Sequence, residues 1–173
     1  MNYSDIVDFH GHECPGLAIG YRLATAAMAA LNASRAGDEE LVAIVENDAC
    51  GVDALQCVTG CTFGKGNLVL RDYGKQVYTL YSRKSGKGVR VSYHDDGVPP
   101  GLREDRKTRE EFILHAPQDA IIRLCHVDLD EPESASKRSS CNCAVCGEPV
   151  METRLREVRE GLACIPCSER ISG

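Results

Sequence analysis

Two Cys-x-x-Cys pairs near the carboxyl end, Cys143-Ala-Val-Cys146 and Cys164-Ile-Pro-Cys167, constrain this chain more than anything else in it. Seventeen residues stand between them. The spacing suits a tetrahedral zinc site of four thiolates, each pair forming a knuckle whose two sulfurs reach one ion. A polar segment this short cannot bury enough apolar surface to fold alone, so metal binding has to supply much of its folding free energy. A closed four-sulfur site leaves no position for substrate. Cys143, Cys146, Cys164 and Cys167 are therefore expected to hold a structural zinc, and any chemistry has to lie elsewhere.

The 173 residues suffice for one ordinary domain and a small appendage. Residues 129–140 are polar, serine-rich and without an apolar period, and read as a linker. The division is a core over 1–128, the linker over 129–140 and a finger over 141–173. The core carries 14 basic and 18 acidic residues and the remainder 6 and 8, so neither part grips nucleic-acid phosphates by bulk charge. Asp5, Asp8 and two histidines interrupt the start, which argues against a signal peptide. The longest apolar stretch, Leu17 to Leu31, carries Arg22 and is too short to span a bilayer. A cytoplasmic protein is expected, with no membrane partner, its ten cysteines serving as thiols or metal ligands rather than disulfides.

Hydrophobic periodicity predicts a short helix from a Ser4 cap through Phe9, then a helix from Leu17 to about Ala33. A buried strand is predicted at Leu41–Val45. A helix from Gly51 to Val58, capped by Asp48, comes next. Strands are expected at Asn67–Arg71, Gln76–Ser82 and Val89–Tyr93, a helix from Arg103 to His115 stopped by Pro117, and Ala120–Val127 as a last strand in preference to a helix. Helices, then a run of strands, then a helix predict an α+β fold, with helices packed on a mostly antiparallel sheet.

Three glycine-punctuated loops concentrate unusual chemistry: His10, His12 and Cys14; Glu46, Asp48 and Cys50; Cys61, Thr62 and Lys65. Loops held by a rigid scaffold are where sites are commonly built. Imidazole and thiolate together favour zinc or another transition metal. His10, His12 and Cys14 alternate, so an extended loop presents them on one side. Cys14 and Cys50 both precede predicted helices, whose N-termini favour thiolates, and the two entrances could converge on one pocket. The expected core metal ligands are His10, His12, Cys14, Cys50 and Cys61, with the choice between the two histidines open. Cys14 and Cys50 could also act as reactive thiolates, Asp53 as a group orienting a ligand one turn from Cys50, and Lys65 as a counter-charge for an anionic substrate. Cys57 and Cys125 are assigned to the core, and His94, His115 and His126 to solitary surface or core roles. Gly60-Cys-Thr-Phe-Gly-Lys65 does not match a phosphate loop.

His10-Gly-His-Glu-Cys-Pro-Gly-Leu-Ala-Ile-Gly-Tyr-Arg22, Glu46-Asn-Asp-Ala-Cys-Gly-Val-Asp-Ala-Leu-Gln56, Thr59-Gly-Cys-Thr-Phe-Gly-Lys-Gly-Asn67 and Asp72-Tyr-Gly-Lys75 resemble the FmdE family, whose namesake belongs to molybdenum formylmethanofuran dehydrogenase. The resemblance covers most of residues 5–128. It implies an α+β core with a metal-binding active site, a homodimer, and in some members a C-terminal zinc finger. The tail, Cys143-Ala-Val-Cys-Gly-Glu-Pro-Val150 through Cys167, is similar to the DksA/TraR class of four-cysteine finger, treble-clef or ribbon-like, with Val150, Leu155, Val158, Leu162 and Ile165 as its small core. Cys141 is left spare. The parent complex uses a molybdenum or tungsten pterin and iron–sulfur clusters, and this chain has no ferredoxin-type cysteine run. The family resemblance therefore implies an accessory protein or a small-molecule metalloenzyme associated with oxidoreductase chemistry. The alternative is a non-catalytic metal or cofactor carrier for a molybdenum or tungsten enzyme, docking a partner protein through the finger. Nucleic-acid binding through Arg154, Arg156 and Arg159 ranks last.

Overall fold

The structure, a computed structural model, describes residues 2–135 and 138–172. It divides into two compact units, 1–135 and 136–173. The first is an α+β unit built on a five-stranded sheet. In chain order its elements are α1 (Tyr3–His10), α2 (Pro15–Ala30), β1 (Leu41–Val45), α3 (Gly51–Thr59), β2 (Leu68–Leu70), β3 (Val77–Ser82), β4 (Lys87–Tyr93), α4 (Arg106–His115), α5 (Gln118–Ile121) and β5 (Ile122–Val127). The strands lie in the order β2-β1-β3-β4-β5. Only the β1–β2 pair is parallel, joined by the α3 crossover; the other three pairs are antiparallel.

The sheet's inner face follows from period-two alternation. Leu41, Ala43 and Val45 of β1 share it with Tyr78 and Leu80 of β3 and Val89 and Val91 of β4, all within one buried cluster. Helix α2 covers them with Ala18, Ile19, Leu23, Ala24, Ala26 and Ala27. Its alanines cost no side-chain entropy in the helix and let it approach closely. Approach to α3 is closer still. A Cβ at Gly20 would fall on the Gly51 backbone, and one at Gly51 would meet the Tyr78 hydroxyl and the Gly16 carbonyl. This crossing sets the two helix entrances side by side.

Several boundaries differ from the sequence reading, each for a local reason. Asn2, not Ser4, caps α1: its side chain accepts from Asp5 N–H while the Asp5 carboxylate accepts from Asn2 N–H, a reciprocal box. Asp48 does not cap α3; it is exposed, and Cys50 occupies the cap position without a side-chain bond. Helix α4 starts three residues later than expected because the Asp105 carboxylate accepts from Lys107 and Thr108 N–H groups, after a 3-10 turn at Pro100–Leu102. Cys57 is buried, but Cys125 is exposed on β5, the last strand of the sheet, and does not join the core.

Residues 131–135 are fastened to the first unit. Arg83 donates to the Glu131 carboxylate and to the Pro132 and Glu133 carbonyls, and Ala135 N–H to the Glu39 carboxylate. The second unit holds two hairpins, β6 (Ser140–Asn142) with β7 (Pro149–Met151) and β8 (Leu155–Val158) with β9 (Gly161–Cys164), then α6 (Ile165–Ser172). Its core is Cys143, Ala163, Cys164 and Cys167 with Val150 and Val158. Leu162, assigned to this core from sequence, is 45% exposed, because its position in β9 points it outward between the buried Ala163 and the turn at Gly161. Among the described residues, no helix is long and apolar enough to cross a membrane.

Candidate metal centre

The first loop reaches the site through a helix end and a helix start. His10 closes α1, and Gly11 at φ +92° donates its N–H to the Val7 carbonyl, a left-handed turn that glycine adopts without a Cβ penalty. After bends at Gly11 and His12 the chain reaches Cys14, the extended cap of α2, whose sulfur accepts the Leu17 N–H at 3.3 Å. Pro15 at the first helical position fixes that entrance. Cys50 stands at the start of α3. The α2–α3 crossing brings the two together: one ligand atom each from His10, His12, Cys14 and Cys50 all lie within 4.8 Å of one another.

His10 is held at one nitrogen and free at the other. Its Nδ1 lies 2.7 Å from Asp53 Oδ2. The Asp53 carboxylate also accepts from Gln56 Nε2. A ring donating from Nδ1 to a carboxylate presents a lone pair at Nε2, the tautomer that binds metals. His10 Nε2 is buried and has no hydrogen-bond partner. Leaving such an atom unsatisfied costs about 1–3 kcal/mol, so a buried orphan on a residue that clusters with His12, Cys14 and Cys50 fits a site made for an ion. The chemistry of the donors agrees, since nitrogen and thiolate suit zinc and its neighbours. His12 is the exposed member, its ring centroid 4.4 Å from that of His10. Burial pushes the Cys14 thiol above its ordinary pKa, opposed by the Leu17 N–H.

Two residues proposed from sequence do not join them. Cys61 is fully buried in the main core, its N–H donating to the Thr59 hydroxyl and its thiol pushed up by burial. It stands outside the cluster because Gly60, in the left-handed region, turns the chain at the end of α3, a helix length away from Cys50. Lys65 directs its ammonium to the carbonyls of Asp38, at 3.3 Å, and Gly37, at 3.5 Å. Asp53 does stand at the site, bonded to His10 rather than acting on Cys50.

A cavity of about 380 Å³ opens beside His10 and Cys50. Its apolar wall is Val45, Val52, Leu68, Leu70 and Phe63, and its polar members are Asn47, Asp48 and Asp53. A larger cavity, about 490 Å³, lies by Ser34, Arg35 and Lys84 and contains none of the cluster residues. The sequence reading missed this wall, because Phe63 and Leu70 are adjacent to Cys50 only through the β1–α3–β2 crossover. It also missed Tyr78, whose buried hydroxyl has no partner beside Gly51. Burial, with the nearby Cys50 and Asp53, raises that phenol's pKa.

In the second unit, Cys143, Cys146, Cys164 and Cys167 likewise place their sulfurs within 4.8 Å of one another. Backbone N–H groups of Cys146 and Cys164, followed by Val145, pull Cys143 down, while burial and the neighbouring sulfurs push Cys146 and Cys164 up. Arg170 donates to the Cys167 sulfur at 2.9 Å. Cys141 is exposed in β6 and outside the cluster.

The model of a family described as FmdE, molybdenum formylmethanofuran dehydrogenase operon, matches residues 9–127. The chain belongs to the FmdE family. The match contains every member of the core cluster. The crystal structure of a tungsten formylmethanofuran dehydrogenase FmdE-like protein from Syntrophus aciditrophicus superposes with a TM-score of 0.72 at 27% identity, covering 97% of this chain and 92% of that one. A curated relative from Archaeoglobus fulgidus, named a probable S-adenosyl-L-methionine-binding protein, is 33% identical over 190 residues, covering 93% of this chain. This FmdE chain spans about half (50%) of that relative's length, so the relative's name does not place its ligand in the shared half.

Proposed function

We propose that this FmdE protein is a small-molecule metalloenzyme whose transition metal, zinc in a recombinant preparation, is held by His10, Cys14 and Cys50, with His12 as an exposed, displaceable fourth ligand. The observation that carries the reading is the orphaned, buried Nε2 of His10, fixed by Asp53 through its other nitrogen. Two thiolates and one imidazole with an exchangeable position make a donor set of the catalytic kind, in contrast to the four sulfurs of the finger. A divalent metal so bound supplies Lewis acidity toward a carbonyl or similar head group. The chain's own residues do the rest. Asp53 orients His10, the α2 N–H groups hold the Cys14 sulfur, and the apolar cavity wall excludes water from one side of Cys50. The four-cysteine cluster holds a structural zinc.

Cobalt substitution tests this. Cobalt-loaded protein should show thiolate-to-metal charge-transfer absorption from the core that Cys50→Ala and His10→Ala remove, and its ligand-field bands should shift when a carbonyl compound is added. The core metal should also stay bound through many turnovers. Rapid loss of that metal to a chelator, with no turnover of any carbonyl compound, would instead support the carrier reading.

A further inference from the structure

The cavity beside the cluster also limits the charge of what enters it. Asp48 and Asp53 line it, and among the described residues no lysine or arginine does. The loop lysine that could have supplied a positive charge, Lys65, is turned to the Gly37 and Asp38 carbonyls. The Asn47 amide donates to the Lys75 carbonyl, and its oxygen accepts from Ala49. At the N-terminus of α3, the Val52 and Asp53 N–H groups are bonded to the Ala49 and Cys50 carbonyls. A helix terminus carries roughly half a positive charge, which two carboxylates outweigh. A divalent ion bound by two thiolates adds no net charge.

The walls are the other half of the argument. Val45, Val52 and Leu68 form an apolar floor, while Leu70 at 46% and Phe63 at 77% stay exposed at the rim. An aromatic ring left so open beside a cavity offers a face against which a flat molecule can stack. A volume of about 380 Å³ is within the range of small-molecule sites.

We infer that the cavity binds a small molecule with a flat apolar body and no negative charge, neutral or cationic, its head group turned toward Cys50 and His10. The orientation of the head group rests on the metal-site reading; the charge and apolar preference rest on the cavity alone. Carboxylate and phosphate substrates are thereby excluded, contrary to the anionic substrate expected from Lys65.

Three probes sharing one naphthyl body separate the possibilities: 2-naphthylmethanol, 2-naphthylmethylammonium and 2-naphthoate. Binding is followed by naphthyl fluorescence on zinc-loaded and on metal-free full-length protein, with metal content measured on each sample. The alcohol and the ammonium should bind at least about tenfold more tightly than the carboxylate in both states, a margin of about 1.4 kcal/mol. Phe63→Ala should weaken the alcohol several-fold. Asp48→Lys, a change at an exposed side chain, should improve naphthoate about tenfold without changing metal content. Naphthoate binding as tightly as the other two in either state overturns the inference, as does failure of all three to bind. Absence of core metal with the charge preference intact sinks the metalloenzyme reading and leaves this one standing.

Discussion

His10 does two things at once, and Asp53 is what permits both. By accepting from Nδ1, the carboxylate fixes the ring and its tautomer and leaves Nε2 of this cluster member unbonded. Removing the negative charge while keeping the shape should therefore act through the histidine. Asp53→Asn is expected to lower core metal affinity by about 10–100-fold with the fold unchanged, read by competition with a chromophoric chelator. A second residue-scale prediction concerns Asp105. The Thr108 hydroxyl and N–H bonds hold its carboxyl below the ordinary carboxylate range. A depressed pKa stabilises the folded state above the unfolded value, and the effect is lost as pH falls through the lowered one. Asp105→Asn, which also caps helices but does not ionise, should flatten that acid limb of the melting temperature, whereas a mutant curve parallel to wild type would show the cap to be silent. Residue chemistry was the most legible level in the sequence: alternating His10, His12 and Cys14 before a proline, and a cysteine at a second helix entrance, mark candidate ligands by type and spacing, and the structure brings these four together. Cys61 and Lys65 share the residue types but not the place, because position in a crossover is not written in local spacing.

Elements decide which of these side chains meet. The α2–α3 crossing works because Gly20 and Gly51 carry no Cβ where the backbones touch. Gly20→Ala should force the helices apart, destabilising by about 1–3 kcal/mol in chemical denaturation and weakening the core metal in parallel. A stable variant with unaltered metal binding would contradict the role given to this contact. The element pattern of helices, strands and helix was legible from periodicity. The close crossing was not, since nothing local in Gly-Tyr-Arg or Cys-Gly-Val says which glycines will face each other. The strap over residues 131–135 was hidden for a similar reason. Its composition is that of a linker, and the distant Arg83 and Glu39 pin it. Arg83→Ala should expose this segment to rapid proteolytic cleavage while the melting temperature of the first unit barely changes.

At the scale of the molecule, the FmdE fold carries two cysteine-containing clusters with different work to do. Four sulfurs in residues 143–167 give the small unit a core that its few apolar side chains cannot, whereas the first unit folds on its own buried sheet and holds mixed nitrogen and sulfur donors at the meeting of two helices. The most direct measurement is elemental metal content of wild type, Cys50→Ala and Cys164→Ala, purified alike. One ion per cluster is expected in wild type, loss of the core ion alone in Cys50→Ala, and loss of the finger ion alone in Cys164→Ala. An unaltered metal content in Cys50→Ala, or the simultaneous loss of both ions from either variant, would contradict two independent metal sites.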